Sequence, residues 1–220
     1  MERTLLFDFD STWTRVEALD ILAEQLAANG RLPQDAVAEI AAITELGMSG
    51  ELGFAESLQR RMAVLNFNVT DLIGLVEYLK GHVSPSIIRN QEWVRANANR
   101  IYIVSNGFEE FIAPVVAEMG IAGDHVIANK MIVAADGWVK GADSSIALSG
   151  DNGKPVVVHQ QGFRGSVWAI GDGFTDYQIR EAGMADKFIA FTENVRRDLV
   201  VQLADAEAPD LDTLIQLDLQ

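Results

Sequence analysis

The chain has 220 residues, 49% of them hydrophobic, with 17 basic and 32 acidic side chains, a formal net charge of −15 and no cysteine. That is enough apolar residue for one substantial core with a smaller appendage, while the charge excludes a generic nucleic-acid or anionic-membrane binder, because phosphate backbones and acidic lipids repel it. Lack of cysteine removes disulfides, thiolate metal sites and thiol nucleophiles; with no leader-like start and no apolar run of ~18–20 residues, a cytoplasmic protein is expected.

The first element is the aliphatic and aromatic run Thr4–Phe9, read as a buried parallel strand. Residues 14–82 then break from strand patterning. Glu17–Ala28, Gln34–Leu46, Phe54–Leu65 and Asp71–Leu79 carry helical periodicity, with Thr70 as the expected N-cap of the last. About 65 helical residues after the first strand predict a small cap domain (14–82) inserted into a core formed by 1–13 and 83–220. In the core, Ile101–Ser105 reads as a strand and Phe108–Met119 as a helix closed by Gly120. Val126–Gly141 reads as a hairpin turning at Asp136-Gly137. A helix over 154–162, a strand at Val167–Gly171, a helix over 175–182 and a strand at Lys187–Phe191 complete an α/β alternation. The last twenty residues, acidic and without a basic group, read as a solvated helical end. The predicted fold is a doubly wound, Rossmann-like parallel sheet with a helical cap.

Three predicted strands end in polar clusters, and in an open parallel sheet those ends share one edge, where ligands bind. The first gives Asp8-Phe9-Asp10-Ser11-Thr12. Residues two apart on a strand point the same way, so Asp8 and Asp10 approach one point, where paired carboxylates raise a pKa or recruit a cation. Taken alone, Asp10-Ser11-Thr12 is equally a turn capping the next helix. The second end supplies the Ser105 hydroxyl, Asn106-Gly107 and a following helix N-terminus suited to phosphate. The third supplies Gly171-Asp172-Gly173, Thr175 and Asp176. Oxygen ligands in such numbers suit magnesium. Of the lysines between the second and third clusters (Lys130, Lys140 and Lys154), Lys154 is best placed, because it begins a helix that leads into the third strand.

In this order and spacing, Asp8-Phe9-Asp10-Ser11-Thr12, Ser105, Lys154 and Gly171-Asp172-Gly173 with Asp176 resemble the haloacid dehalogenase superfamily of magnesium-dependent phosphatases, and within it the phosphoserine phosphatases. The predicted cap resembles theirs too, with Glu17 nine residues after Asp8 and the series Met48, Gly50, Phe54, Ser57-Leu58, Arg60-Arg61. The resemblance implies Asp8 as nucleophile and Asp10 as general acid and base. It also implies magnesium held by Asp8, Asp10 and Asp172 with Asp176 behind them, and phosphate contacts from Ser105 and Lys154. Glu17, Met48, Phe54, Arg61, Ser105, Asn106, Gly107 and Thr175 would bind substrate, Glu17 taking an ammonium and Arg61 a carboxylate. By itself, Arg60-Arg61 would also suit the basic face of an amphipathic helix. Two positions depart from the family pattern: Asn106 stands where glycine is usual and Thr175 where asparagine is usual.

The resemblance therefore implies hydrolysis of O-phosphoserine, a small-molecule partner and no nucleic acid or membrane. Transfer of the phosphoryl group to another hydroxyl amino acid such as homoserine, or hydrolysis of a different small phosphomonoester, would use the same core residues. A silent binding domain would be expected to have lost Asp8, Asp10 or Lys154, and all three are present. No dinucleotide or P-loop glycine motif occurs.

Overall fold

The computed structural model describes residues 3–49 and 51–219, with backbone only for Met48 and Ser49. In chain order the elements are β1 (Thr4–Phe7), α1 (Ala18–Ala28), α2 (Gln34–Ser49), α3 (Phe54–Val64), α4 (Asp71–Lys80), α5 (Pro85–Arg89), α6 (Gln91–Ala96), β2 (Ile101–Phe108) and α7 (Glu109–Val116). There follow β3 (Val126–Asn129), β4 (Met131–Val133), β5 (Val139–Ala142), α8 (Gly153–Gln161), β6 (Val167–Gly171), α9 (Phe174–Glu181), β7 (Lys187–Phe191), α10 (Asp198–Leu203), β8 (Ala206–Ala208) and α11 (Leu211–Asp218). None of the described helices is long and apolar enough to cross a membrane.

Six strands form one parallel sheet in the order β3-β2-β1-β6-β7-β8. The alternation of side chains along a strand divides the core between its two faces. Leu5, Phe7, Ile103 and Ile170 face the cluster that includes Phe111 and Val115 of α7 and Leu214 of α11. Leu6, Val104, Ala169 and Phe188 face Val157 and Val158 of α8 and Ile179 of α9. Covered on both faces, β6 has all five residues buried, which is why it reads as a continuous apolar run. β1 lies between β2 and β6, and the carboxyl ends of these three strands meet at one edge.

Helices α1 to α4 are inserted between β1 and α5, and the two connecting segments run side by side. Thr14 and Val83 form an antiparallel bridge. Arg15 N–H donates to His82 O at 2.9 Å, and Ser84 N–H to Trp13 O at 2.9 Å.

The structure corrects the sequence reading at three places. The segment Val126–Gly141 is not a single hairpin: β3 joins the main sheet beside β2, and the hairpin is β4–β5 alone. Thr70 does not cap α4. Its backbone is already helical, and the turn is closed instead by Asn68 N–H donating to Asp71 Oδ2 at 2.7 Å and Thr70 N–H to Asn68 Oδ1 at 3.1 Å. The acidic C-terminal stretch contains an edge strand, β8, and a helix that buries Leu211 and Leu214.

One acidic group of that stretch anchors the sheet. Asp218 accepts from Arg3 Nη1 at 2.7 Å and Arg100 Nη2 at 2.5 Å, joining α11 to the starts of β1 and β2. Burial opposes its ionisation, but the hydrogen bonds from Arg100 and Arg3 prevail and hold the carboxyl below its ordinary 3.8. A folded pKa below the unfolded one contributes stability above the unfolded value that is lost as pH falls through the folded value. Asp218→Ala is expected to lower unfolding free energy by about 2 kcal/mol at pH 7, by urea denaturation. The difference should shrink as both chains are taken below pH 3.8.

Candidate active site

The strand end at β1 is extended by Asp8, whose N–H donates to Ile170 O at 2.8 Å. The chain then makes a five-residue turn, Phe9–Trp13, in which Ser11 takes a left-handed backbone (φ 55°). Across this turn the two carboxylates take different partners while lining the same cavity. Asp8 Oδ1 accepts from Lys154 Nζ at 2.8 Å. Asp10 Oδ1 accepts from the N–H of Ala18 at 2.8 Å, at the start of α1.

Lys154, in the first turn of α8, is 2% exposed and also donates to Asp176 Oδ1 at 2.6 Å. Its ammonium thus lies between two buried carboxylates. Asp176 Oδ2 accepts from Gly173 N–H at 3.1 Å. The carboxyl leans so closely over β6 that a Cβ at Gly171 would stand 2.1 Å from it, so only glycine fits there. Asp172, at the same strand end, accepts from Thr12 Oγ1 at 3.1 Å and pairs with Arg197. Asp8, Asp172 and Asp176 each present a carboxylate oxygen within 4.8 Å of the others, a buried group able to hold a metal ion.

From β2, Ser105 is 1% exposed and its Oγ accepts from Gly107 N–H at 3.0 Å. The inserted helices supply the opposite wall. Ser11 Oγ donates to Glu17 Oε1 at 2.6 Å. Arg61, in the last turn of α3, is 7% exposed and reaches Thr44 Oγ1 at 3.5 Å, while its Nε is buried without an acceptor among the described residues. Asp8, Asp10, Glu17, Phe54, Arg61, Ser105, Asn106, Gly107, Lys154 and Thr175 all line one small cavity of about 40 Å³, which also touches Leu19 and Gly47. Of the residues expected to bind substrate, the Met48 side chain lies outside the described residues, as does all of Gly50. Asp172 and Asp176 lie behind the cavity wall. Lys130 instead pairs with Glu109, and Arg60 pairs with Glu56 on the exposed side of α3. A larger cavity of about 490 Å³ between α3 and β5 has Lys140 as its one titratable group among the described residues and lacks the chemistry of the smaller one.

Burial without a full set of partners sets the protonation of this cavity. Burial first, then the charges of Glu17 and Asp8, push Asp10 well above the ordinary carboxylate range. Burial likewise lifts Glu17 to about 7, against the Ser11 hydrogen bond. Asp176 is lifted to about 7 by burial and the Asp8 charge, with Lys154 opposing. For Lys154, burial favours the neutral form, but Asp176 and Asp8 together prevail and keep it charged. The arrangement thus sets a cationic end, at Lys154, against the buried carboxyls of Asp10 and Glu17, both raised above their ordinary range.

Two polar residues of the site, Arg197 and Asn194, escaped the sequence reading, as did the contact that Thr12 makes with Asp172. Thr12 and Arg197 hold Asp172. Asn194 Nδ2 donates to Ser11 O at 3.1 Å and Ser84 Oγ at 2.7 Å, tying the turn to the returning segment of the insert. Asn194 and Arg197 follow β7, a fourth strand end on the same edge, and that position was the signal available.

A sheet with these strand ends, four acidic side chains and one buried lysine at its edge defines a hydrolase class. The haloacid dehalogenase-like hydrolase profile matches residues 5–181, and the chain belongs to that family. It is similar to the chloroplastic phosphoserine phosphatase of Arabidopsis thaliana, at 32% identity over 95% of this chain and 67% of the relative. It is also similar to the phosphoserine phosphatase of Streptococcus thermophilus, at 30% identity over 97% and 94% of the two chains. Among solved structures, a phosphoserine phosphohydrolase-like protein from Francisella tularensis superposes with TM-score 0.87 and 31% identity, covering 98% of this chain and 99% of the other.

Glu17 yields a stability test. Its folded pKa of about 7 exceeds the unfolded 4.5, so the folded chain binds the extra proton and stability falls as pH rises between the two values. Glu17→Gln is expected to unfold like the parent chain at pH 4 and to be more stable by roughly 3 kcal/mol at pH 8, each read by urea denaturation. Equal stability of the two chains at pH 8 would contradict the burial assigned to this carboxyl.

Proposed function

We propose that the chain is a magnesium-dependent phosphomonoester hydrolase that cleaves O-phosphoserine through an aspartyl-phosphate on Asp8. One observation carries this reading: a single cavity joins the phosphate-binding set Asp8, Ser105 and Lys154 to the pair Glu17 and Arg61. A zwitterionic amino acid needs an anion for its ammonium and a guanidinium fork for its carboxylate, with the phosphate at the far end. The buried, unpaired Nε of Arg61 leaves a donor free for such a carboxylate. The similarity to proteins named phosphoserine phosphatase supports the same substrate. Residues 14–82 act as a cap over the core of 1–13 and 83–220.

In the first step a carboxylate oxygen of Asp8 attacks phosphorus. The Asp8 O–P bond forms as the bond from phosphorus to the serine oxygen breaks. Asp10, whose pKa burial raises and which therefore favours the acid form, delivers its proton to the departing oxygen. In the second step the Asp10 carboxylate takes a proton from water as that water attacks phosphorus. The O–P bond breaks, releasing phosphate and restoring Asp8. Ser105 Oγ and Lys154 Nζ bind the equatorial phosphoryl oxygens, whose charge must be supported throughout. Asn106, Gly107 and Thr175 form the wall beside the phosphoryl group, and Phe54 the apolar side of the cap.

The buried oxygen donors fit magnesium better than a softer metal. Magnesium would be held by the carboxylates of Asp8 and Asp172 and the main-chain carbonyl of Asp10, with Asp176 as a further carboxylate beside them that also pairs with Lys154. A divalent cation bound there supplies positive charge against nucleophile–phosphate repulsion.

Asp8→Asn is expected to abolish phosphate release from phosphoserine while leaving the circular dichroism spectrum close to that of the parent; an active variant excludes Asp8 as nucleophile. With magnesium present, phosphoserine should be turned over in preference to phosphoglycolate, which lacks the ammonium that Glu17 binds. Phosphate release equal to or faster than that from phosphoserine would contradict the roles of Glu17 and Arg61. Product analysis with homoserine added separates hydrolysis from transfer.

A further inference from the structure

Helix α3 begins without a cap of its own: Gly53 precedes it and has no side chain to accept from its first turn. The acceptor comes from the other side of the cavity. Asp151, in the loop before α8, accepts from Ala55 N–H at 3.0 Å through Oδ1, across 96 positions of sequence. First-turn N–H groups of a helix require an oxygen acceptor, and a carboxylate is doubly suited because the helix dipole is positive there. The cap domain and the core thus share a capping interaction in addition to the bridges Thr14–Val83 and Asn68–Trp138.

The loop that presents Asp151 is firmly held on its catalytic side. Asn152 takes a left-handed backbone (φ 56°), and its Oδ1 accepts from Gln178 Nε2 of α9 at 2.7 Å. Gly153 presses on the preceding turn, where a Cβ would stand 2.3 Å from Ala147 O. Lys154 follows, on Asp8 and Asp176. The same α3 whose first turn Asp151 caps carries Arg61 in its last.

We propose that Asp151 is a positioning residue that caps α3 in trans, holding the cap domain shut and Arg61 aimed at the substrate carboxylate. This rests on the reading of residues 14–82 as a cap over a phosphoserine site. A bond between α3 and the core is lost when α3 moves away from the core, so it favours closure by the strength of an N-cap, and its loss weakens substrate and transition state alike. The consequence is a raised KM with little change in kcat. Inorganic phosphate, which engages the core residues alone, is indifferent to it.

The test uses the full chain with magnesium and compares the parent with Asp151→Ala, Asp151→Asn and Asp151→Ser. Asparagine and serine both cap helices well, whereas alanine does not. Hydrogen exchange at the Ala55 amide, measured without substrate, should be about five-fold faster in the alanine variant and near the parent rate in the other two. KM for phosphoserine should rise about five-fold in the alanine variant, with kcat within about two-fold and the inhibition constant of inorganic phosphate unchanged. Parent-like exchange or KM in Asp151→Ala overturns the proposal, as does failure of both capping residues to restore them, or an equal loss of phosphate affinity. If the parent chain itself does not turn over phosphoserine, the substrate reading falls, and the exchange comparison alone decides for or against the trans cap.

Discussion

The ammonium of Lys154, buried between Asp8 and Asp176, is the contact on which the rest of the catalytic edge depends. Parallel topology gathers the ends of β1, β2 and β6 at one place, and that convergence concentrates negative charge in a medium that solvates it poorly. Removing one partner of a buried, hydrogen-bonded ion pair costs about 3–5 kcal/mol, so this centre outweighs any local backbone preference nearby. The constraints around it follow. The residue after Ile170 must lack a Cβ for Asp176 to lean in, and the one before Lys154 must lack one for α8 to start against Ala147. Asp172, beyond the reach of Lys154, relies on Thr12 and Arg197.

The two ends of the cavity are charged in opposite senses. At the Lys154 end one cation faces two carboxylates, holding its own charge while Asp176 stays raised by burial and the Asp8 charge. At the Glu17 end, Asp10, Glu17 and Asp20 are all raised by burial, and Arg61 offsets them only in part. On the proposed reading the site receives an ammonium and must keep an anion incompletely satisfied beforehand, so stability is sacrificed where selectivity is needed. The chain's charge of −15 is compatible with an anionic small molecule for the same reason. A polymer meets the whole surface, whereas a phosphomonoester meets one lysine, one arginine and a helix terminus.

Much of this was legible in the residues because two periodicities carry it. Continuous apolar runs marked β1, β2, β6 and β7, and the helical pattern marked α1 to α4 within a few residues of their ends. What was missed had no such signal. β8 is Ala-Glu-Ala, without a β-branched or aromatic residue, and is a strand only because β7 offers it an edge. β3 was mistaken for half of a hairpin because a turn sequence downstream drew the pairing away from its distant partner, β2. The turn at Ser11, which ends the strand before Asp10 and gives the Asp10 carboxylate the Ala18 N–H as its partner, was invisible as well. Asn194 was findable as the polar residue after a fourth strand end. The reach of Asp151 to Ala55 spans the chain and leaves no local pattern.

The bridge between Thr14 and Val83 places the entrance and exit of the inserted helices next to one another. A segment attached at two adjacent points can change in length, sequence or shape without altering the distance its ends must span. The sheet and its carboxylate edge are thereby insulated from variation in the insert. Recognition of the leaving group and activation of the phosphoryl group are separable heritable traits in such an architecture, free to diverge at different rates.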